Sequence, residues 1–397
     1  MKTKALSIAS AVMLIAFAAF AATGTSRRGT RRPPAEKEAA QCGTVNPVVD
    51  YANRVRVDSP ERHGNLSLFA ISVVGAKVPH VDLTLDQAVK QGLVEVTELD
   101  ESEVNRVRIR TRAKEPVFVM AGEMLRGGKQ DRIAGDDLIL PPKSDLTISV
   151  FCVEHGRWAG RGSGFSTGHS LAGARVRGAA AGGGRGGGQG AVWSGVAEQQ
   201  RALRAPSATG ALRSVHDSEA VREKMNPYLR ALTDLSDNHP KAIGVVAVVG
   251  DEILAADLYS SRKLFEAMWP DLLEAYVIDA LEHEDPVPVS GGHREKRTAL
   301  HEKDILRWLN GLRSVRMSPK DTPDDGDLFD LTGRELRGAA PLDDRPLSHH
   351  DAVLLIGDLS GTALLFDCGV VHIALFPYTV IAEPDFNSLQ FRRERLR

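Results

Sequence analysis

The chain lacks an excess of charge of either sign. Its 397 residues include 50 Lys and Arg against 52 Asp and Glu, which gives a formal net charge of −2 at pH 7. A protein that binds nucleic acid usually presents a strongly basic domain to the phosphates. We therefore expect no nucleic-acid partner, and any anion that the protein binds must be held by a local group of basic residues.

Cysteine is also scarce. The three thiols, Cys42, Cys152 and Cys368, cannot all pair with one another. A chain of this length with 42% hydrophobic residues can bury a core without disulfide staples. The sequence leaves room for one bridge and does not say which pair forms it. Cys152 alternates with apolar residues along a predicted strand, so we interpret it as a small buried side chain.

Familiar cofactor and metal motifs are missing too. The turn GGKQDR, residues 127–132, is not a P-loop, because Walker A requires Ser or Thr after its lysine and Gln130 stands there. No dinucleotide-type GxGxxG occurs at this turn. In a strand, His155 faces away from Cys152 and Glu154, so these three residues do not share a metal ion. The sequence predicts no metal site and identifies no cofactor.

The N-terminus has the pattern of an export signal. Residues 1–22 contain two lysines, then a long apolar run, then small residues suited to cleavage. The polar, proline-containing segment 23–43 is predicted to be a linker. We expect an exported protein, either periplasmic or secreted. The alternative is an uncleaved segment that anchors the chain in the membrane.

Strand patterns dominate the first half of the remaining chain and helical patterns the second. Apolar runs such as PVFVMAGE and DLTISVFCVE are typical of strands in the centre of a sheet. Between strands, TLDQAVKQG predicts a short helix with a capping box at Thr84 and Gln87, ended by Gly92. The predicted class is α+β, with a mixed sheet in the strand-rich N-terminal half and helices mainly in the C-terminal half. We expect residues 44–397 to form a single composite domain.

Glycine is concentrated in one segment. Fourteen of the 37 glycines fall between Gly156 and Gly190. Such a composition offers little apolar surface to offset the entropy of ordering the chain. We therefore predict a long flexible Gly-rich loop over residues 159–191.

Charged residues gather where the apolar strands around this turn end. Partial burial at a strand end raises a carboxyl pKa towards neutrality, so Glu123 and Glu154 are candidate catalytic residues. The glycines of the turn allow backbone N–H groups to point at one anion, and nearby basic side chains add charge. The predicted ligand-binding residues are Arg126, Gly127, Gly128, Lys129, Gln130, Asp131, Arg132, Arg157 and Trp158.

The same charges also have a structural interpretation. Glu123 can pair with Arg132, and Glu154 with Arg157, as clamps around the turn. Structural ion-pair networks imitate active sites in their charge pattern, so the residues alone leave both interpretations open.

The segments TLDQAVKQGLVEVTE, PVFVMAGEMLRGGKQDR and LILPPKSDLTISVFCVEHGRW together resemble the family called ADP-ribosylglycohydrolase and rhodanese-phosphatase-superfamily associated protein. The resemblance is strong from Asn65 to Trp158 and looser from Val192 to Leu281. Its signature positions here are Glu123, Gly127, Gly128, Lys129, Gln130, Asp131, Arg132, Cys152, Glu154, Gly156, Arg157 and Trp158. The resemblance implies association with enzymes of NAD and ADP-ribose metabolism and carries over no established catalytic residue. The export signal and the Gly-rich segment depart from the family's pattern.

Two functions follow from these patterns. The first is an exported protein that binds or processes a small anionic ligand, such as an NAD-derived or ADP-ribose-like nucleotide, with Lys129 and Arg132 on the phosphate. The second is a non-catalytic structural or interaction module of the envelope or the extracellular space. The two differ in whether Glu123, Glu154, Lys129 and Arg132 converge on one open site.

Overall fold

The computed structural model describes residues 46–99, 103–157, 162, 164–181, 187–283, 299–333 and 359–377. The predicted signal peptide, the predicted linker and Trp158 lie outside these ranges. Within them, no helix combines the length and the apolar character that crossing a membrane requires. The exported location stays a prediction.

Strands make up most of the N-terminal half. Two helices, α1 (Pro47–Asn53) and α2 (Leu85–Lys90), accompany β1 (Val55–Val57), β2 (Glu61–His63), β3 (Leu66–Val73), β4 (Leu83–Thr84), β5 (Val94–Glu98), β6 (Arg106–Thr111), β7 (Val117–Val119), β8 (Glu123–Gly127), β9 (Arg132–Ala134), β10 (Leu138–Leu140), β11 (Asp145–Cys152) and β12 (Gly164–Leu171).

Most helices follow in the C-terminal half. They are α3 (Ala174–Ala181), α4 (Gln189–Ala202), α5 (Arg213–Asp217), α6 (Glu219–Leu232), α7 (Leu235–Asn238), α8 (Arg262–Glu282) and α9 (Glu302–Leu309), interleaved with β13 (Gly244–Val249), β14 (Glu252–Tyr259), β15 (Arg316–Lys320), β16 (Asp327–Thr332), β17 (Leu359–Phe366) and β18 (Gly369–Pro377). This distribution confirms the predicted α+β class.

A nine-stranded sheet forms the larger layer, in the order β1-β3-β13-β14-β18-β17-β16-β15 with β2 beside β3. Successive side chains of a strand point to opposite faces. Leu66 and Leu68 of β3 therefore join the core cluster that contains most of α8, while Phe69 and Ile71 join a second cluster with residues of α1 and α9. Burial on both faces explains why β3 and β13 are apolar at nearly every position.

A closed barrel, β11-β6-β5-β12-β8-β9, forms the second layer. A small sheet, β10-β7-β4, lies between the barrel core and the larger core, because Val117 and Val119 pack into the first and Phe118 into the second. This sheet is mixed, since β7 pairs in parallel with β4 and antiparallel with β10. Closure of the barrel pairs backbone groups that would otherwise lie at sheet edges.

The predicted capping box is confirmed at the start of α2. The Thr84 hydroxyl accepts a hydrogen bond from Gln87 N at 3.3 Å, and the Gln87 side chain accepts one from Thr84 N at 3.3 Å. Gly92 follows the helix with a φ of +68°, a conformation that glycine adopts without strain.

The prediction of a flexible loop over residues 159–191 is wrong for most of its described residues. That segment contains β12, α3 and the start of α4. Its small residues permit close packing instead of preventing order: a Cβ on Gly173, just before α3, would lie 3.0 Å from the side chain of Gln199 on α4. The composition suggested that burial in this segment could not offset the entropy of ordering it. Val176 and Arg177 of α3 are nevertheless buried.

Candidate functional site

The turn between β8 and β9, with the residues that flank it, contains the predicted ligand-binding residues from Arg126 to Arg132, whereas Arg157 follows β11. Gly127 and Gly128 have φ values of +135° and +50°, which L side chains rarely adopt. A Cβ on Gly128 would lie 2.5 Å from the ring of Phe165 on β12. The two glycines are therefore required by the backbone conformation and by the close approach of β12.

Three successive backbone N–H groups at this turn already have acceptors in the same chain. Gly127 N donates to Asp131 Oδ1 at 3.0 Å, and Lys129 N donates to Glu98 Oε1 at 2.8 Å. Gly128 N donates to the carbonyl oxygen of Gly164 at 3.2 Å. The predicted anion nest is thus filled by carboxylates of the same chain, one from the turn and one from β5.

Glu98 is also the partner of Arg132. The Arg132 guanidinium donates to both Glu98 carboxylate oxygens at 3.2 Å, and its side chain is fully buried. The guanidinium carbon lies 5.4 Å from the ring centroid of Phe165, a distance suited to a cation–π contact. The predicted pairing of Arg132 with Glu123 is wrong, since β5 supplies the partner.

Glu154 is held by four groups. It accepts hydrogen bonds from Arg157 Nε at 2.8 Å, from Asp131 N at 3.1 Å and from the Thr209 hydroxyl at 2.9 Å, while its backbone oxygen accepts one from Gln130 Nε2 at 2.8 Å. The predicted clamp between Glu154 and Arg157 is confirmed, with a closest ion-pair distance of 2.7 Å. Burial raises the pKa of Glu154, but Arg157, the Asp131 N–H and Thr209 outweigh it and lower that pKa. A carboxylate held ionised in this way is a poor general acid.

Arg157 links these contacts into one network. Its guanidinium also donates to the carbonyl oxygens of Gly128 at 3.0 Å and Gly127 at 3.3 Å, and to Asp131 Oδ1 at 3.3 Å. Burial raises the pKa of Asp131, whose second oxygen lies 3.2 Å from Arg213 Nε on α5. We call Glu98, Asp131, Arg132, Glu154 and Arg157 the charged clamp.

Two basic residues of the predicted site lie outside the charged clamp. Lys129 is half-buried, and its ammonium has no ion pair in the part of the chain that the structure describes. Arg126 extends from β8 to the Ser170 hydroxyl at 2.7 Å and to Asp217 Oδ1 at 3.3 Å.

The other candidate catalytic residue, Glu123, lies at the opposite end of β8. Arg132 of β9 pairs with Leu125 of β8 on one side and with Cys152 of β11 on the other, and both pairings are antiparallel. Because Glu123 comes two residues before Leu125 and Glu154 two residues after Cys152, the two glutamates lie in opposite strand directions from Arg132. Their separation is about four residues, or roughly 13 Å along the strands. The structure does not bring the two carboxylates together at the turn.

Glu123 has an environment unlike that of Glu154. It is buried, and its carboxylate accepts a hydrogen bond from Met120 N at 2.7 Å. The pKa of Glu123 is raised to about 8, mainly by burial and in smaller part by nearby Asp271, Asp86 and Asp137, although the hydrogen bond from Met120 N lowers it. No group of three or more His, Cys, Asp or Glu in the described ranges has an arrangement that could hold a metal.

A second charged group, which the sequence patterns did not predict, is buried between the two layers. Asp137 Oδ2 lies 2.7 Å from His372 Nδ1, and His372 Nε2 lies 3.2 Å from Asp257 Oδ1. Arg177 donates to both Asp257 oxygens, at 2.8 and 2.9 Å, and the Tyr276 hydroxyl donates to the same carboxylate. The signal that could have found them is polarity inside apolar runs, such as His372 in VVHIALF and Asp257 in LAADLY.

This buried network is electrostatically balanced. Burial lowers the pKa of His372, but Asp137 and Asp257 outweigh it and raise that pKa to about 9. Burial raises the pKa of Asp257, but Arg177 and His372 hold it well below its usual range. Two cations therefore face two anions, and all four side chains are almost completely buried. The network joins α3, β14, β18 and the residue before β10 without contact to solvent.

Comparison with known proteins gives one match. A family model described as ARPP-1, the ARG and Rhodanese-Phosphatase-superfamily-associated Protein domain, matches residues 54–376. That range includes the barrel, the small mixed sheet and nearly all of the nine-stranded sheet. No curated protein and no solved structure matches the chain.

Proposed function

The chain belongs to the family of ARG and Rhodanese-Phosphatase-superfamily-associated Protein domains, and we propose that it acts as an exported, non-catalytic structural or interaction module. One observation carries this proposal. Each carboxylate of the charged clamp, on Glu98, Asp131 and Glu154, is held by a guanidinium or a backbone N–H of the same chain. The signature residues thereby stabilise the end of a barrel.

A phosphate could enter the turn only by displacing these carboxylates. The displaced groups are largely buried, and breaking a buried ion pair by removing one partner costs about 3–5 kcal/mol. The carboxylates also belong to the folded chain. They therefore occupy the site without the loss of translational and rotational freedom that a free ligand undergoes on binding. The clamp therefore competes strongly against any anionic ligand at this position.

One feature supports export. Residues 1–22 have the basic, apolar and small-residue pattern of a signal peptide. We propose a periplasmic or secreted location.

Thermal unfolding with and without ligand tests the non-catalytic role. We expect ADP-ribose, nicotinamide nucleotides and sugar phosphates to leave the Tm unchanged. Arg157→Ala should lower the free energy of unfolding by about 3 kcal/mol, because it leaves Glu154 and Asp131 buried without this partner. Lys129→Ala, a matched loss of one cation at the same turn, should change it by less than about 0.5 kcal/mol.

Binding of a nucleotide-like anion beside the turn is the second candidate function. The observation that favours it is Lys129, whose ammonium has no described ion pair although the side chain is half-buried. Stabilisation of the wild-type protein by ADP-ribose, lost in Lys129→Ala, would replace our proposal with this one.

A further inference from the structure

Two carboxyl groups hold successive amides of the turn between β7 and β8, residues 120–122. Met120 N donates to Glu123 Oε2 at 2.7 Å, and Ala121 N donates to Asp137 Oδ1 at 2.8 Å. Glu123 and Asp137 are only 5% and 1% exposed. The backbone of this turn is therefore satisfied by buried side chains, and its stability depends on the charge that those side chains carry.

Asp137 connects this turn to the buried network. Its second oxygen lies 2.7 Å from His372 Nδ1, and His372 Nε2 lies 3.2 Å from Asp257 Oδ1. Arg177 also reaches the turn, because a Cβ on Gly122 would lie 2.5 Å from Arg177 Cγ. Position 122 therefore has no room for a side chain, and the turn lies directly against a cation of the network.

The charge balance of this interior favours a protonated Glu123. Arg177 and protonated His372 supply two positive charges, and ionised Asp137 and Asp257 supply two negative charges. An ionised Glu123 would add a third negative charge to the two that these cations balance. With Glu123 protonated the five side chains are neutral together, which is the state that an interior of low dielectric constant favours.

The other acidic groups near Glu123 act in the same direction. The negative charges of Asp271 on α8 and Asp86 on α2 raise the pKa of Glu123, as does that of Asp137. Asp86 forms an ion pair with Lys90 at 2.8 Å, and the Lys90 side chain is exposed. Loss of the proton from Glu123 therefore adds a negative charge where three carboxyl groups from other segments already surround it.

We infer that Glu123 and the buried network form one coupled protonation unit, in which the proton on Glu123 keeps the β7–β8 turn closed against the nine-stranded sheet. Because the pKa of Glu123 is raised from 4.5 to about 8, its contribution is fully present below about pH 4.5 and is lost as pH rises through about 8. The turn thus tightens on acidification. This inference goes beyond the proposed function, because it gives the contact between the two layers a response to pH.

Infrared spectroscopy across a pH titration of the full chain tests the coupling. The carbonyl stretch of protonated carboxyl groups is separate from the amide bands, and at pH 7 it should contain a component that Glu123→Gln removes. Asp137→Asn removes one negative charge of the unit, so this component should disappear at a pH about one unit lower than in the wild-type protein. Glu95→Gln, which replaces an exposed glutamate of β5, is the matched control and should leave the component unchanged.

Amide hydrogen exchange tests the closure of the turn. After correction for the intrinsic exchange rate, protection of residues 117–125 should fall at least about tenfold from pH 5 to pH 7, because opening exposes Glu123 to solvent, where it ionises near its usual pKa of 4.5. The fall should be at least about threefold smaller in Glu123→Gln, whose side-chain oxygen can still accept from Met120 N. Glu95→Gln should behave as the wild-type protein does.

Two results would overturn the inference. One is a carboxyl band at pH 7 that is the same in the wild-type protein and in Glu123→Gln. The other is an equal loss of protection in these two proteins between pH 5 and pH 7, a comparison that does not require Asp137→Asn to fold. Neither result depends on the loss of stability expected for Arg157→Ala, so failure of this unit and failure of the closed clamp can be told apart.

Discussion

Glu123 and Glu154, two of the family's signature residues, have pKa values shifted in opposite directions because their surroundings differ. Glu154 is surrounded by donors, so its pKa is lowered and it holds the turn as an anion. Glu123 is buried beside other carboxyl groups, and its pKa is raised to about 8. At neutral pH the folded protein therefore contains mostly protonated Glu123, a neutral group that accepts a hydrogen bond from Met120 N.

The raised pKa of Glu123 predicts a pH dependence of stability. Between its usual value of 4.5 and about 8, the folded state binds a proton that the unfolded state has lost, so the free energy of unfolding falls as pH rises. Glu123→Gln removes this titration. Urea unfolding at pH 5, 6, 7 and 8 measures this effect. From pH 5 to pH 8, the free energy of unfolding should fall by about 3 kcal/mol less in the variant than in the wild-type protein. Parallel curves for the two proteins would show that Glu123 does not titrate in this range.

The buried network predicts a large cost for one uncharged substitution. Asp137→Asn leaves protonated His372 with only Asp257 beside it, so we expect the free energy of unfolding to fall by about 3 kcal/mol or more at pH 7. Asp145→Asn is the control, because Asp145 pairs with exposed Arg108 and Arg110 and should cost no more than about 1 kcal/mol. Equal effects of the two substitutions in urea titrations would refute a special role for the network.

The same network predicts a loss of stability at high pH. The pKa of His372 is raised, so its stabilising charge is fully present below about pH 6.5 and is lost as pH rises through about 9. Wild-type stability should therefore decline over this window, and the decline should be smaller in Asp137→Asn. Stability curves at pH 6.5, 8 and 9.5 measure the difference.

At the scale of elements, glycines with similar positive φ values differ in what surrounds them. Gly92 and Gly128 both have positive φ, but a Cβ at Gly92 meets nothing within 4 Å, whereas one at Gly128 would strike Glu98 and Phe165. Gly92→Ala should cost about 1 kcal/mol from the backbone alone. Gly128→Ala should cost at least about 2 kcal/mol, since Glu98 must leave its position in the charged clamp. Urea midpoints measured side by side test this order, and equal costs would contradict it.

Local patterns predicted elements well where neighbours in sequence form the contacts. The capping box of α2 joins residues three apart, so Thr84 and Gln87 were enough to identify it. The Gly-rich segment failed because its order comes from outside it: Arg177 of α3 is held by Asp257, 80 residues away. Composition measures what a segment can bury by itself and does not measure what another element provides.

The candidate site shows the same limit. GGKQDR and CVEHGRW predicted the turn and the pair of Glu154 with Arg157, which are three residues apart. The partner of Arg132 lies 34 residues away on β5, and His372 lies 235 residues from Asp137. Barrel closure and sheet order determine these pairs, and neither can be inferred from the periodicity of a single strand.

At the scale of the whole molecule, export is a separate prediction. The chain expressed in its native host should be found in the periplasm or the medium, with a mature N-terminus near residue 22, because residues 1–22 have the pattern of a cleaved signal. Fractionation and intact mass determine both. A full-length chain in the cytoplasm would contradict export, while a full-length chain in the membrane fraction would indicate an uncleaved anchor.

In the whole molecule, we propose that the charged clamp is an internal structural device. A double-mutant cycle on Glu154→Gln and Arg157→Ala measures this most directly, because it isolates the free energy of their interaction in the absence of any ligand. We predict a coupling free energy of about 2 kcal/mol, since the pair is 2.7 Å apart and largely buried. A coupling below about 0.5 kcal/mol would mean that these signature residues do not stabilise the fold, and it would contradict the account.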